Sequence, residues 1–129
     1  MEGTWKLYGT VTLYITDITK MTPKVNTLTP YEWLAALPIF EIVFKDRNEN
    51  TLFTAFQAKI ESNRPLITIP VNALLKNLIE YQRYDMYSNV ILPSPNDINI
   101  TEDDIRFYKY NLYLERISGC EEIDDSALE

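Results

Sequence analysis

The chain has 129 residues, 46% of them hydrophobic and 24% charged, which is the size and composition of one folded domain. Histidine is absent and glycine occurs only three times. These two facts exclude zinc sites built from Cys and His, His-activated nucleophiles and the glycine-rich loops that bind phosphates. We therefore predict a protein that is not an enzyme, with no cofactor, no metal and no small-molecule substrate.

The net charge of −7 arises from 19 acidic and 12 basic residues. Residues 118–129 hold five of the acids and no base, which leaves the rest of the chain with a net charge of −2. We predict a single globular domain over 1–117 and an acidic tail over 118–129. Scattered bases on a nearly neutral body disfavour direct binding of nucleic acid. The tail supplies four candidate interface residues, namely Glu121, Glu122, Asp124 and Asp125.

The chain contains no apolar run near the roughly 20 residues that a bilayer-spanning helix needs. Its first residues lack the basic segment and apolar stretch of a secretory signal. The single Cys120 cannot form an internal disulfide, and adjacent Glu121 and Glu122 disfavour its reactive thiolate form. These features predict an intracellular (cytoplasmic) or virion protein with no membrane partner.

Residues 4–16 alternate between apolar and polar side chains, which predicts a half-buried strand. Gly9 falls on the apolar face and indicates a bulge or a close approach of the backbone. The non-periodic segment 17–28 is predicted to be a loop, and loops of this length inside a domain are often functional or contact a partner. Thr29, Pro30 and Glu32 then form a capping-box pattern, so a short helix is expected over 30–37, ended by Pro38.

Residues 39–45 and 52–61 flank a polar turn and predict a β-hairpin, although the second arm also contains helix formers. A short strand is expected over 66–69. Val71, Leu74, Leu75 and Leu78 have helical spacing, and we predict an amphipathic helix over 71–83.

Further strands are expected over 86–92 and 104–117, the latter preceded by a helical turn at 101–104. Together the elements predict a mainly β or α+β fold. It would be a largely antiparallel sheet or two-layer β-sandwich of about six strands, with one packed amphipathic helix and one short helix.

The last predicted strand is rich in tyrosine and arginine. Its alternation would put Tyr108, Tyr110, Leu112 and Leu114 on one face and Phe107 and Tyr113 on the other. Tyr and Arg are common at protein–protein interfaces and also at surfaces that stack nucleic-acid bases, while cross-strand packing alone could also explain them. The interface candidates on this strand are Tyr108, Tyr110, Tyr113, Arg106 and Arg116.

One carboxylate cluster, Glu102, Asp103 and Asp104 after Asp97, could bind a divalent cation, but acids are also usual in a first helical turn. We expect the helical turn. The function predicted is a non-catalytic protein–protein interaction subunit in a homo- or hetero-oligomer, such as a structural or assembly component of a viral (phage) particle. The alternative is an acidic inhibitor or nucleic-acid mimic that blocks a basic groove on a host or defence enzyme.

Overall fold

The computed structural model describes residues 2–23, 27–61, 64–79, 83–93 and 97–118, with the backbone alone at positions 2, 79 and 118. Within these ranges six strands form two three-stranded antiparallel sheets. The strands are β1 (Glu2–Ile15), β2 (Ile39–Lys45), β3 (Thr51–Lys59), β4 (Leu66–Ile79), β5 (Asp85–Ile91) and β6 (Ile105–Ser118). The predicted mainly β fold is confirmed.

The first sheet has the order β4-β1-β6, with the long N-terminal strand at its centre. The apolar face predicted for residues 4–16 is confirmed, because Leu7, Val11, Leu13 and Ile15 are buried. The alternate side chains of β1 point to the opposite face of this sheet, as the two-residue period of a strand requires. We call these two sides the inner face and the outer face.

The second sheet has the order β3-β2-β5 and contains the predicted hairpin. Asp46 fixes the turn between β2 and β3, since its Oδ1 accepts hydrogen bonds from the backbone N–H groups of Asn48 at 2.9 Å and Asn50 at 3.0 Å. Glu49 lies in the left-handed region at φ 65°. The second arm is a strand over Thr51–Lys59, so its helix formers are overruled by pairing with β2.

The inner face of the first sheet and side chains of the second sheet contribute to one hydrophobic core. Phe40, Ile42 and Phe44 of β2 are its central residues and are almost completely buried. The phenyl ring of Phe40 meets the rings of Phe56 on β3 and Phe107 on β6, with centroids 6.3 Å and 6.2 Å away. Among the side chains that the structure describes, none that is polar or charged is buried.

The short helix α1 (Pro30–Ala36) forms as predicted and ends at its cap, Leu37. The backbone N–H of Thr29 donates to Glu32 Oε1 at 2.9 Å, and the N–H of Glu32 donates to Thr29 Oγ1 at 3.1 Å. This reciprocal pair satisfies two donors at the helix start. The predicted loop 17–28 is more ordered than expected where it is described, with a 3-10 turn at Ile18–Met21 that buries Met21.

The amphipathic helix predicted over 71–83 is wrong. Residues up to Ile79 continue β4, whereas 80–82 lie outside the described residues. Val71 and Leu75 are buried through ordinary alternation, and Leu74 points to the exposed outer face. Register with β1 then shifts between the Gly3–Leu78 and Trp5–Leu75 pairs, and Asn77 has φ 63°. This bulge returns Leu78 to the inner face. The buried residues Val71, Leu75 and Leu78 of the strand therefore have the three- and four-residue spacing that is typical of a helix.

Gly9 confirms the predicted close approach of two backbones. Its φ of +128° lies outside the range that side-chain-bearing residues favour. A Cβ at this position would collide with the carbonyl oxygen of Asn111 on β6. Glycine is therefore needed where β1 meets the middle of β6.

The predicted division into a domain over 1–117 and an acidic tail over 118–129 stays a prediction. Apart from the backbone of Ser118, the tail lies outside the described residues. The same holds for the tail's interface candidates, Glu121, Glu122, Asp124 and Asp125. It also holds for Cys120, whose thiol we expect to be unreactive.

Candidate protein-interaction site

The strand β6 is an edge strand of 14 residues. It pairs with β1 along its whole length, and no second strand from the described ranges pairs with its other side. An edge of this kind carries backbone N–H and C=O groups that must bind either water or another chain.

The inner row of β6 is apolar from Ile105 to Leu114, and its side chains differ in how far the core covers them. Three buried side chains of β1 face three side chains of β6 that remain open to solvent. The facing pairs are Leu13–Phe107, Val11–Tyr110 and Leu7–Leu114. Ile105, at the start of β6, is buried, whereas Tyr110 is 47% exposed and Leu114 is 46% exposed. Phe107 is 39% exposed although its ring meets Phe40 of the second sheet, and Leu112 is partly buried against the core. Tyr110 and Leu114 therefore form a half-exposed apolar strip at the edge of the core.

The outer face of β6 carries a mixture of polar and aromatic residues. Tyr113 lies opposite Tyr8 of β1, with ring centroids 5.4 Å apart. Lys109 lies opposite Thr12, and Glu115 lies opposite Lys6. The whole outer row of β6 consists of Arg106, Lys109, Asn111, Tyr113 and Glu115.

A bulge in β6 changes the faces that alternation predicted. The register passes from Thr12–Lys109 to Leu13–Phe107, which makes Tyr108 the extra residue. Phe107 therefore shares the inner face with Tyr110, and their rings stack with centroids 5.9 Å apart. The expectation that Phe107 would lie on the face opposite to Tyr110 is wrong, because one inserted residue reverses the phase of a strand.

The structure places the predicted candidates of β6 on one strand but on different faces. Tyr110 and Arg116 belong to the inner row, and the guanidinium of Arg116 lies 6.0 Å from the Trp5 ring. Tyr113 and Arg106 belong to the outer row, and Tyr108 occupies the bulge. They do not form a single stacking platform. Sequence reasoning missed the contributions of Phe107 and Leu114, because only strand pairing and the extent of the second sheet reveal their exposure.

The carboxylates near 102–104 separate instead of converging. Glu102 and Asp103 line a cleft of about 480 Å³ together with Glu41 and residues of β5 and β6. Asp104 turns away from that cleft and binds Lys20 Nζ at 3.1 Å. Within the described ranges no group of three Asp, Glu or Cys side chains is placed to hold a metal ion.

Asp104 instead fastens the beginning of β6 to the rest of the molecule. As predicted, Thr101 precedes a helical turn, here the 3-10 turn Glu102–Asp104. The N–H of Thr101 donates to Asp104 Oδ2 at 2.9 Å. This hydrogen bond, followed by those from Lys20 and the Thr101 hydroxyl, lowers the pKa of Asp104 to about 2. The Thr16 N–H also donates to the Asp104 carbonyl oxygen at 2.9 Å.

A second cavity, of about 630 Å³, opens beside α1. Ile18, Met21 and Trp33 form its apolar part, and Glu61 provides a carboxylate. A cavity of this size is large enough for a small molecule.

Comparison with known proteins gives no match to a family model, to a curated protein or to a solved structure. No helix among the described residues is both long and apolar enough to cross a membrane.

Proposed function

We propose that this chain is a non-catalytic protein–protein interaction subunit of a larger assembly, such as a viral particle, and that β6 is its binding strand. The observation that carries the proposal is the inner face of β6, where the apolar side chains of Tyr110 and Leu114 remain about half exposed next to buried residues of β1. Large apolar patches next to an open strand edge favour association with another polypeptide.

The chemistry of the strand supports binding through both its backbone and its side chains. Added strands gain affinity from main-chain hydrogen bonds and specificity from alternate side chains. Tyr110 and Tyr113 give β6 an aromatic residue on each face, and aromatic side chains are enriched at binding hot spots. A partner strand would thus meet an anchor on either side of the sheet.

A photo-cross-linking amino acid at position 110 tests this proposal in the cells where the protein is native. We expect covalent adducts with other polypeptides from position 110, and we expect Leu114→Lys to remove most of them because it places a charge in the same apolar strip. Position 31 is the matched control, since Tyr31 lies on α1 and is 82% exposed. Equal adduct yields from positions 110 and 31, or no adduct from position 110, would contradict the proposal.

A further inference from the structure

The outer face of β6 is self-complementary in charge between residues 109 and 116. Lys109 and Glu115 lie on the same outer face, with Asn111 and Tyr113 between them. Neither forms an ion pair with another residue in the described ranges. When two identical strands pair antiparallel, a residue placed before the centre of pairing faces one placed equally far after it. Lys109 and Glu115 are equally distant from Leu112.

We propose that the partner of β6 is a second copy of this chain, paired antiparallel along β6 with Leu112 on the two-fold axis. This inference rests on the proposed function and specifies its partner. In this arrangement Lys109 of each copy lies opposite Glu115 of the other, which gives two equivalent pairs of opposite charge. Opposite charges at directly facing positions stabilise a pair of strands.

The same register joins the apolar parts of the two inner faces. Tyr110 of each copy lies opposite Leu114 of the other, and the two Leu112 side chains meet at the axis. Aromatic and aliphatic side chains at facing positions pack across a strand pair. The two β6 strands would join their three-stranded sheets into one continuous sheet with the order β4-β1-β6-β6-β1-β4.

Neighbouring registers lack this agreement. Centring the pair on Asn111 puts Lys109 opposite Tyr113, and centring it on Tyr113 puts Asn111 opposite Glu115. Neither arrangement brings opposite charges together over the regular part of β6, from 109 to 116. A shift of a single position between the strands would set inner side chains against outer ones. Charge and face therefore favour the register centred on Leu112.

A charge exchange between two variants tests the register as well as the partner. Sedimentation equilibrium of the purified full chain, up to roughly 100 µM, covers dimers with micromolar Kd. We expect the wild type to dimerise and Lys109→Glu or Glu115→Lys to raise the dimer Kd on the order of tenfold, because each variant makes both facing pairs repulsive. Mixing the two variants restores both attractive pairs, so a heterodimer should form with an affinity near that of the wild type. The double variant should also recover self-association.

Lys59→Glu provides the control, since it makes the same charge change at an exposed position of β3 and should leave the dimer unchanged. Thermal unfolding of each variant separates loss of pairing from loss of folding, and recovery in the mixture shows that both chains are folded. A wild type that stays monomeric, or single variants that dimerise like the wild type, would overturn the self-pairing. A monomeric wild type that still gives position-110 adducts with another protein would overturn only this inference. Loss of those adducts as well would overturn the proposed function.

Discussion

The strands β4 and β6 are the two edges of one sheet, have the same length of 14 residues and pair with the same strand, yet they differ in how each edge is protected. β4 contains Pro70, which removes a backbone donor, and a bulge at Asn77. β3 also lies beside it. Prolines, bulges and covering elements are the usual means of preventing an edge from pairing with another chain. β6 has bulges at Tyr108 and Ile117, but between them, from 109 to 116, it has no proline and no bulge, and no strand of the described ranges pairs with its open side.

The inner side chains of β4 and β6 also differ in how deeply they are buried. On β4 the inner side chains lie under the second sheet, and Leu75 is 5% exposed. On β6 the corresponding row is less covered, since Leu112 is only partly buried and Tyr110 and Leu114 are 47% and 46% exposed. One strand therefore stabilises the fold, while the other leaves apolar area for a partner. Substitutions that separate folding from association can test this distinction.

The largest expected difference is between two leucines on the inner face. Leu75 on β4 faces Trp5, and Leu114 on β6 faces Leu7. We expect Leu75→Ala to lower the free energy of unfolding by about 2–5 kcal/mol, because it leaves a cavity in the core. Leu114→Ala should cost the monomer less than about 1 kcal/mol, because its site is already open to water. Urea denaturation at low protein concentration measures both, and equal losses would contradict the distinction between the strands.

Gly9→Ala should cause the next largest loss of stability. We expect this loss on the side of β1 that pairs with β6. The added Cβ meets the Asn111 carbonyl of β6 and also requires an unfavourable φ. We expect a loss of about 1–3 kcal/mol. Hydrogen exchange measures where the loss falls, and amides of β6 should lose more protection than amides of β4. Thr10→Ala on the neighbouring residue is the control, and loss of protection spread evenly over both strands would argue against a local collision.

Local patterns predicted most of the fold because most elements have local causes. Alternation over residues 4–16, the capping box at Thr29 and Glu32, and the polar turn at 46–50 each act within a few residues. The element that failed, the helix over 71–83, failed because the bulge at Asn77 depends on pairing with a strand some 70 positions earlier. No local pattern contains that pairing.

The candidate site was predictable in composition but not in geometry. Sequence reasoning selected Tyr108, Tyr110 and Tyr113 on the correct strand, but assigned the faces without the bulge at Tyr108. It also could not know how much of the inner row of β6 the second sheet would leave exposed. Exposure of an apolar side chain depends on what fails to cover it, and that is a property of the whole fold.

Asp104→Asn tests how firmly the start of β6 is attached. The Thr101 hydrogen bond and the Lys20 ion pair lower the pKa of Asp104 to about 2, so the folded state favours the carboxylate. Its stabilising effect is present above the ordinary pKa and is lost as the pH falls through the lowered one. We expect the variant to lose about 1–2 kcal/mol at pH 7 and to show less acid destabilisation between about pH 4 and pH 2 than the wild type. Asp103→Asn is the matched control for thermal melts across this range, and identical acid profiles for wild type and D104N would contradict this role.

The smallest expected effect concerns the bulge that protects β4. Asn77 has φ 63° and is exposed, so it contributes more through its backbone than through packing. Asn77→Ala should cost about 1 kcal/mol, because alanine tolerates the left-handed region less well than asparagine, whereas Asn77→Gly should be nearly neutral. Urea denaturation measures the difference between the two variants. Equal stability of both would mean that the bulge does not require the left-handed backbone. If Asn77→Ala also self-associates more than Asn77→Gly, the loss of the bulge has opened the edge of β4 to pairing with another chain.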